Sequence, residues 1–491
     1  MSSVRKNIIA NFAGSAWSSI MGLAFVPLYI KLMGIEAYGL IGFIATIQVA
    51  IGSLDLGLSQ SLNREMARLS SLQNPEQELV NTARTLEIIY WGMAIAVFFL
   101  LTVSAPFIAQ HWLVAQNISD KELIDALRLV AVLIAVRWPV SIYSGGLNGL
   151  QRQLQLNIIR ATFETFQGVG AVLVLMFISP TIDFYLKWLL IVTVFQVVVM
   201  RYSFWNCLPD GYRSSFELSI LKKLWRFTAG MIGISFTAIL LTQADKIILS
   251  KLLSLSDFGY YTLASTAAMI IGKITAPVFT AYYPKLASLV AVRDHEALTK
   301  TYHKGCQLLA VAVFPVAWSL IFFSNEILFI WTQDLNVASK TATLLVLLVI
   351  GNTLNGLMTL PYLLQLAHGW TSLTFYTNLI LVAFTIPGVY LAALFFGGVG
   401  AATIWIVVNA SYVLVSLHLI HRRLLVTEKW HWYINDVGRI LLTTLAVILL
   451  GKFFVALIGS AVLRVVLIAV TGLIAIMAAY FSAESLVKNR G

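Results

Sequence analysis

Fourteen predominantly apolar runs, each about 20 residues long, divide the chain, and short polar turns separate them. They predict helices near 9–31, 37–62, 84–105, 123–146, 155–179, 182–201, 225–250, 257–283, 305–328, 339–364, 371–395, 398–421, 438–457 and 460–482. Runs of that length span a bilayer as helices, because a helix satisfies its own backbone groups where water cannot. Composition agrees. The 491 residues are 59% hydrophobic and 11% charged, with mean hydropathy +0.85, whereas soluble domains carry about 25% charged residues. The predicted fold class is an all-α polytopic membrane protein of about fourteen transmembrane helices.

The net charge of +11 does not point to nucleic acid once the cations are placed. With the N-terminus inside, 21 of the 33 Lys and Arg residues fall on the cytoplasmic side. Arg5, Lys6, Lys223, Arg226, Arg422, Arg423, Lys488 and Arg490 are among them. The opposite loops hold five: Lys31, Lys121, Lys251, Lys340 and Arg464. This bias satisfies the positive-inside rule and predicts a multi-pass protein of the cytoplasmic (inner) membrane with both termini cytoplasmic. The first run lacks a small-residue cleavage site and is expected to be retained as a span. Seven histidines and two cysteines make no dense metal or disulfide framework; Cys207 and Cys306 are expected as free thiols.

The connecting loops are too short for a globular ectodomain or a nucleotide-binding domain. Gly272-Lys273-Ile274 does not complete a phosphate-binding loop. A weak repeat appears at an offset of 220, with Leu32–Gly39 lying over Leu252–Gly259. It predicts two pseudo-symmetric six-helix lobes around a central cavity, a common transporter plan, plus two C-terminal helices. The expected divisions are 1–201 for the N-terminal lobe, 202–224 for a cytoplasmic linker, 225–421 for the C-terminal lobe and 422–491 for helices 13–14 and the tail. Pro27, Pro139, Pro277, Pro315, Pro361 and Pro387 fall inside predicted spans, where each removes a backbone hydrogen bond and can kink its helix.

Charges at membrane depth are costly and mark function by default. Arg137 and Lys273 lie near the middle of helices 4 and 8, so they should face a wet cavity, an anion or a carboxylate on a neighbouring helix. A guanidinium can grip phosphate oxygens bidentately, which makes pyrophosphate a natural partner. Arg160 and Glu164 sit one turn apart and can neutralise each other. Asp55 lies toward one end of helix 2 with Arg64 beyond it, and Asp245-Lys246 toward the end of helix 7. Arg137, Lys273, Arg160 and Arg64 are the substrate-binding candidates. Asp55, Glu164, Asp245 and Lys246 are the coupling-ion or gating candidates. Lys452 is expected to snorkel. His418 and His421, and Trp430, Trp432 and Tyr433, are expected at the membrane interface. No metal site or catalytic constellation stands out.

Several strings resemble the Wzx-type polysaccharide flippases. They are Asn11-Phe12-Ala13-Gly14, Pro27 to Leu40, Asp55-Leu56-Gly57-Leu58-Ser59-Gln60, Ala244 to Lys251, Phe258-Gly259-Tyr260-Tyr261 and Tyr283-Pro284-Lys285-Leu286. The resemblance implies the multidrug/oligosaccharidyl-lipid/polysaccharide exporter fold, alternating access, and a polyprenyl-pyrophosphate-linked oligosaccharide as cargo. It implies a transporter rather than an enzyme, with no cofactor beyond a proton or sodium gradient. The expected partners are the cargo and membrane lipid, with a glycan polymerase as a family-level expectation, no nucleic acid, and a monomeric state. Relatives that flip the peptidoglycan precursor carry extra arginines in the first helix. Here only Lys31 lies there, which argues against that cargo. A cation-coupled multidrug exporter of the same fold is the alternative, and a membrane-embedded glycan polymerase the more distant one.

Overall fold

The computed structural model describes residues 3–52, 55, 57–72 and 75–484. Lys488 and Arg490, and the side chains of Arg5, Lys6, Lys223 and Arg226, lie outside the described residues. Among those described, the regular secondary structure is all helical, apart from an isolated bridge between Val114 and Ser254. Ten helical stretches are long and apolar enough to cross a bilayer, and the protein is an all-α multi-pass membrane protein. The chain divides into two compact units, Met1–Gly259 and Tyr260–Gly491.

The first unit holds α1 (Ser3–Ala24), α2 (Val26–Gly52), α3 (Leu58–Leu69), α4 (Glu76–His111), α5 (Asp120–Arg137), α6 (Val140–Gly149), α7 (Gln153–Phe177), α8 (Ile182–Trp205) and α9 (Leu218–Leu252). Helix α1 packs on α7, α7 on α8, α8 on α5 and α5 on α4, while α3 lies along α6. Three predicted spans of this unit are divided, the first of them, 9–31, at Phe25. Within the run 37–62, Gly57 takes a φ of 73° and α3 starts at Leu58. The run 123–146 breaks between Arg137 and Val140, because Pro139 has no N–H for the carbonyl four residues back and its ring crowds that turn.

Two buried carboxylates tie this unit together. Glu87 of α4 accepts from the Tyr143 hydroxyl at 2.7 Å, Arg201 Nε at 2.8 Å, Trp205 Nε1 at 3.1 Å and Arg84 Nη1 at 2.8 Å. Glu36 of α2 accepts from the backbone N–H groups of Gln116 and Asn117 at 2.5 and 3.1 Å, and from Asn117 Nδ2 at 2.6 Å. Burying a carboxylate is tolerable when charge-assisted donors replace its water, and both sites supply several.

The second unit completes α10 (Leu255–Ala268) and continues with α11 (Ile270–Ala291), α12 (His295–Phe322), α13 (Ser324–Thr332), α14 (Leu335–Leu357), α15 (Thr359–Ala367) and α16 (Thr371–Ser411). A π-helical turn at Tyr412–Ser416 leads into α17 (Leu417–Leu424). After α18 (Lys429–His431) a second π-helical stretch, Trp432–Gly438, opens α19 (Arg439–Leu457), and α20 (Ala461–Ser482) follows. The predicted runs 371–395 and 398–421 meet at Gly397, whose φ of 57° and ψ of −139° interrupt α16; only glycine adopts that conformation readily. Helices α19 and α20 pack on α12 around Phe323, Ile448, Val455, Ile468 and Ala475.

The prolines divide into two sets. Pro27, Pro139 and Pro361 stand just after helix breaks, at Phe25, at Trp138 and at Met358. Pro277, Pro315 and Pro387 are carried within α11, α12 and α16. Cys207 and Cys306 are free thiols. Lys452 bonds the Phe322 carbonyl at 2.6 Å.

Candidate functional site

The break at Pro139 builds the site in the first unit. Ending α5 at Arg137 leaves that side chain at a helix C-terminus, which favours a cation, and turns it toward a cavity of about 570 Å3. Arg160, Glu164 and Gln167 reach the same cavity from one face of α7, as their spacing of four and three residues dictates. Ser141 and Ser144 enter from α6, Gln196 from α8, Gln48 from α2, Ser18 from α1, and Asp55 from the segment between α2 and α3. Asp55 stands two residues before Gly57, whose φ of 73° precedes the first turn of α3. Discontinuous membrane helices are a recurrent way to place polar groups at a transport site.

The hydrogen bonding is asymmetric. Both carboxylates are engaged: Ser18 Oγ donates to Glu164 Oε2 at 2.6 Å, and Ser59 donates to Asp55 from its backbone N–H at 3.3 Å and from its hydroxyl. The second pair also fixes the first turn of α3, a capping role for Asp55. Among the described residues, neither the Arg137 nor the Arg160 guanidinium has an ion pair within 4.0 Å or a hydrogen bond. Glu164 acts on both arginines only at longer range. Thus Arg160 and Glu164 share a cavity without forming the close pair that their spacing allows. Two further polar atoms on the lining, Trp138 Nε1 and Gln196 Oε1, are buried and unpartnered among the described residues. A planar cation pair with open donors, beside an amide and an indole that lack partners, can bind an anion carrying neutral polar groups.

The structure therefore brings together Arg137, Arg160, Asp55 and Glu164. Arg64 is exposed on α3, and Asp245 and Lys246 are half-buried on α9; none of the three lines this cavity. Lys273 is exposed on α11 of the second unit. Charge reasoning missed Ser18, Gln48, Gln167 and Gln196. Neutral side chains raise no alarm in an apolar run, and periodicity alone does not say which face is wet.

Two expectations at the far end of the chain are corrected. His421 is not interfacial but buried, bonded to the Tyr302 hydroxyl at 3.1 Å and to the Leu417 carbonyl at 3.1 Å. Trp432 is likewise buried, while Trp430 is exposed. Both buried rings pack in the second unit around a polar cluster that the sequence did not disclose. His303 places Nδ1 2.5 Å from Asp436 and Nε2 3.1 Å from Glu428, and Gln307 donates to Asp436 at 2.9 Å. His303, His431 and Asp436 bring three ligating atoms within 4.8 Å of one another. Since His303 already uses both ring nitrogens on carboxylates, the arrangement is accounted for as an ion-paired hydrogen-bond network.

Comparison with solved structures defines the class. The lipid II flippase MurJ in an inward-closed conformation aligns with a TM-score of 0.71 at 14% identity, covering 96% of this chain and 97% of MurJ. The MATE multidrug transporter DinF-BH aligns at 0.61 and 13% identity, covering 86% and 95%. The likeness is one of fold, an all-helical multi-pass membrane architecture. A family model described as "Polysaccharide biosynthesis protein" matches residues 30–340. A Shigella flexneri protein named "Putative O-antigen transporter" is 23% identical over 414 residues, 82% of this chain and 94% of its own. The chain belongs to the polysaccharide biosynthesis protein family, in accord with the Wzx-type resemblance of its motifs.

Proposed function

We propose that the protein is a flippase that moves a polyprenyl-pyrophosphate-linked oligosaccharide from the cytoplasmic to the outer leaflet of the inner membrane by alternating access. Arg137 and Arg160 hold the pyrophosphate. Carried unaided through hydrocarbon, each sugar hydroxyl would lose its hydrogen bonds, at several kcal/mol apiece; a wet, polar cavity lowers that barrier. The observation that carries the reading is the asymmetry of the cavity: its carboxylates are bonded to serines, whereas both guanidiniums are open. The charge bias of the loops supports an orientation with both termini cytoplasmic. Glu164 is the coupling candidate, since its protonation would raise the charge of the cavity by one unit when the anion arrives.

A cation-coupled drug exporter is the second reading, favoured by the presence of Asp55 and Glu164 on the same lining. One experiment separates the two. Proteoliposomes are loaded with a fluorescent polyprenyl-pyrophosphate oligosaccharide, and its appearance in the outer leaflet is read by external quenching. The expected result is movement faster than in protein-free vesicles, strongly reduced by Arg137→Ala and by Arg160→Ala. Lys273→Ala and Arg64→Ala report whether cations outside the cavity also contribute. No movement with any of several glycans and ion gradients, together with efflux of a cationic dye that Glu164→Gln abolishes, would overturn the flippase reading in favour of the exporter.

A further inference from the structure

The second unit has a pocket of its own, of about 320 Å3, at the lower end of the range for small-molecule clefts, about 300–1,000 Å3. Its chemistry is unlike that of the arginine cavity. Among the described residues, no Asp, Glu, Lys or Arg lines it; its polar groups are amides and hydroxyls, and its apolar walls include aromatic rings. A phosphate would find no cation there and an ammonium no carboxylate.

Helix irregularities make the pocket. Helix α14 gives way to α15 at Met358, where Pro361 cannot donate to the carbonyl of Leu357. Opposite that break lies the π-helical turn Tyr412–Ser416, and both of its end residues line the pocket. Single π-helical turns inside helices are rare and concentrate at functional sites.

The polar groups are poised for a partner that both donates and accepts. Tyr412 donates to Asn378 Oδ1 at 2.7 Å, which leaves the Asn378 amide with two free N–H groups. Gln365 commits Nε2 to the Trp370 carbonyl at 2.6 Å and to Thr374 Oγ1 at 2.7 Å, so its carbonyl oxygen remains as an acceptor. Asn355 gives one N–H to Asn409 at 2.8 Å and keeps the other. Ser416 is the telling group: it is 6% exposed, lines the pocket, and its hydroxyl has no partner among the described residues. A buried hydroxyl without a partner is uncommon and calls for one. Phe279 and Tyr362, whose ring centroids lie 6.3 Å apart, form an aromatic wall.

We propose that this pocket binds one uncharged sugar ring of the cargo, the ring's hydroxyls meeting Asn378, Gln365 and Ser416 and its C–H face lying on the aromatic wall. The proposal rests on the flippase reading above. It assigns neutral-glycan recognition to the second unit and pyrophosphate recognition to the first.

The test uses the full-length protein in lipid nanodiscs and two probes. A panel of neutral methyl glycosides, of hexoses and N-acetylhexosamines, is titrated by saturation-transfer NMR; farnesyl pyrophosphate binding is measured in parallel. At least one glycoside should bind the wild type. Ser416→Ala should weaken it roughly two- to tenfold, the worth of one neutral hydrogen bond, without lowering the melting temperature, because the hydroxyl it removes is unpartnered in the free protein. Thr377→Trp should fill the pocket and abolish glycoside binding, while farnesyl pyrophosphate binds both variants as it binds the wild type. Glycoside binding unchanged in both variants would overturn the proposal. So would farnesyl pyrophosphate binding to a wild type that takes no glycoside, a result that leaves the flippase reading standing. Glycoside binding lost in the variants, in a protein that translocates no lipid-linked glycan, would support the pocket and remove the flippase reading.

Discussion

Gly39 and Gly259, separated by the 220-residue offset of the sequence repeat, meet backbone to backbone within the first unit. A Cβ built on Gly39 would lie 2.0 Å from the Leu255 carbonyl oxygen, and one on Gly259 would lie 2.3 Å from that of Ile35. Each glycine faces the carbonyl four residues before the other, a reciprocity typical of two-fold contacts. The two arms of the repeat are thus in contact at matching positions. Gly39→Ala or Gly259→Ala should destabilise the protein by about 1–3 kcal/mol, since backbone, not a movable side chain, must yield. Gly22, with open space around its Cα, is the control: Gly22→Ala should leave thermal unfolding in nanodiscs unchanged or slightly raised. Equal melting temperatures for all three variants would show that this contact does not hold the fold.

Glu87 supports a second prediction. It joins α4 to α6 and α8 through Tyr143, Arg201 and Trp205 and binds Arg84 on its other oxygen. Glu87→Ala leaves a buried tyrosine hydroxyl and an indole N–H without their acceptor and two guanidiniums without their counter-ion. Both arginines stay about half in water, so the loss falls mainly on the neutral donors left without an acceptor, about 1–3 kcal/mol, and the variant should melt below the wild type. Glu87→Gln keeps an acceptor and should fall between. A Glu87→Ala protein as stable as the wild type would refute the assigned role.

The helical plan was legible because hydropathy over some twenty residues reports burial in lipid directly, and the breaks beside Pro27, Pro139 and Pro361 could be anticipated from a missing N–H. The breaks at Met269 and Phe323 could not, since neither residue carries a local signal and both depend on packing. Of the site, Arg137, Arg160, Asp55 and Glu164 were visible as charges in apolar runs. Gln48, Gln167 and Gln196 were not, because an amide in such a run is unremarkable until its neighbours are known. The network of His303, Asp436 and Glu428 joins residues more than a hundred positions apart, and spacing rules do not reach that far.

That network makes a third prediction. Asp436 is fully buried and receives His303 and Gln307 on its two oxygens, which fastens α12 to the start of α19. Asp436→Asn and His303→Gln should each destabilise the protein, and the double variant should lose less than the sum of the two, because once one partner is gone the other has little left to contribute. A coupling energy of about 1–3 kcal/mol is expected from unfolding of the four proteins in one detergent. Strict additivity would mean that the two side chains are neighbours without energetic dependence.

The fourth prediction concerns the arginine cavity. Glu164 attracts both Arg137 and Arg160 while bonded to Ser18, so it competes with any incoming anion for the same positive field. Removing its charge with Glu164→Gln should tighten farnesyl pyrophosphate binding by about 1 kcal/mol, roughly fivefold, as expected for one unit charge several ångströms away in a partly wet site. The gain should shrink as salt is added, because screening acts on the same interaction. Arg137→Lys should weaken binding despite conserving charge, since an ammonium cannot reproduce the bidentate fork. Isothermal titration at two ionic strengths reads all three effects. If Glu164→Gln weakens binding instead, the carboxylate is orienting the guanidiniums rather than opposing the anion, and the coupling role passes from Glu164 to Asp55.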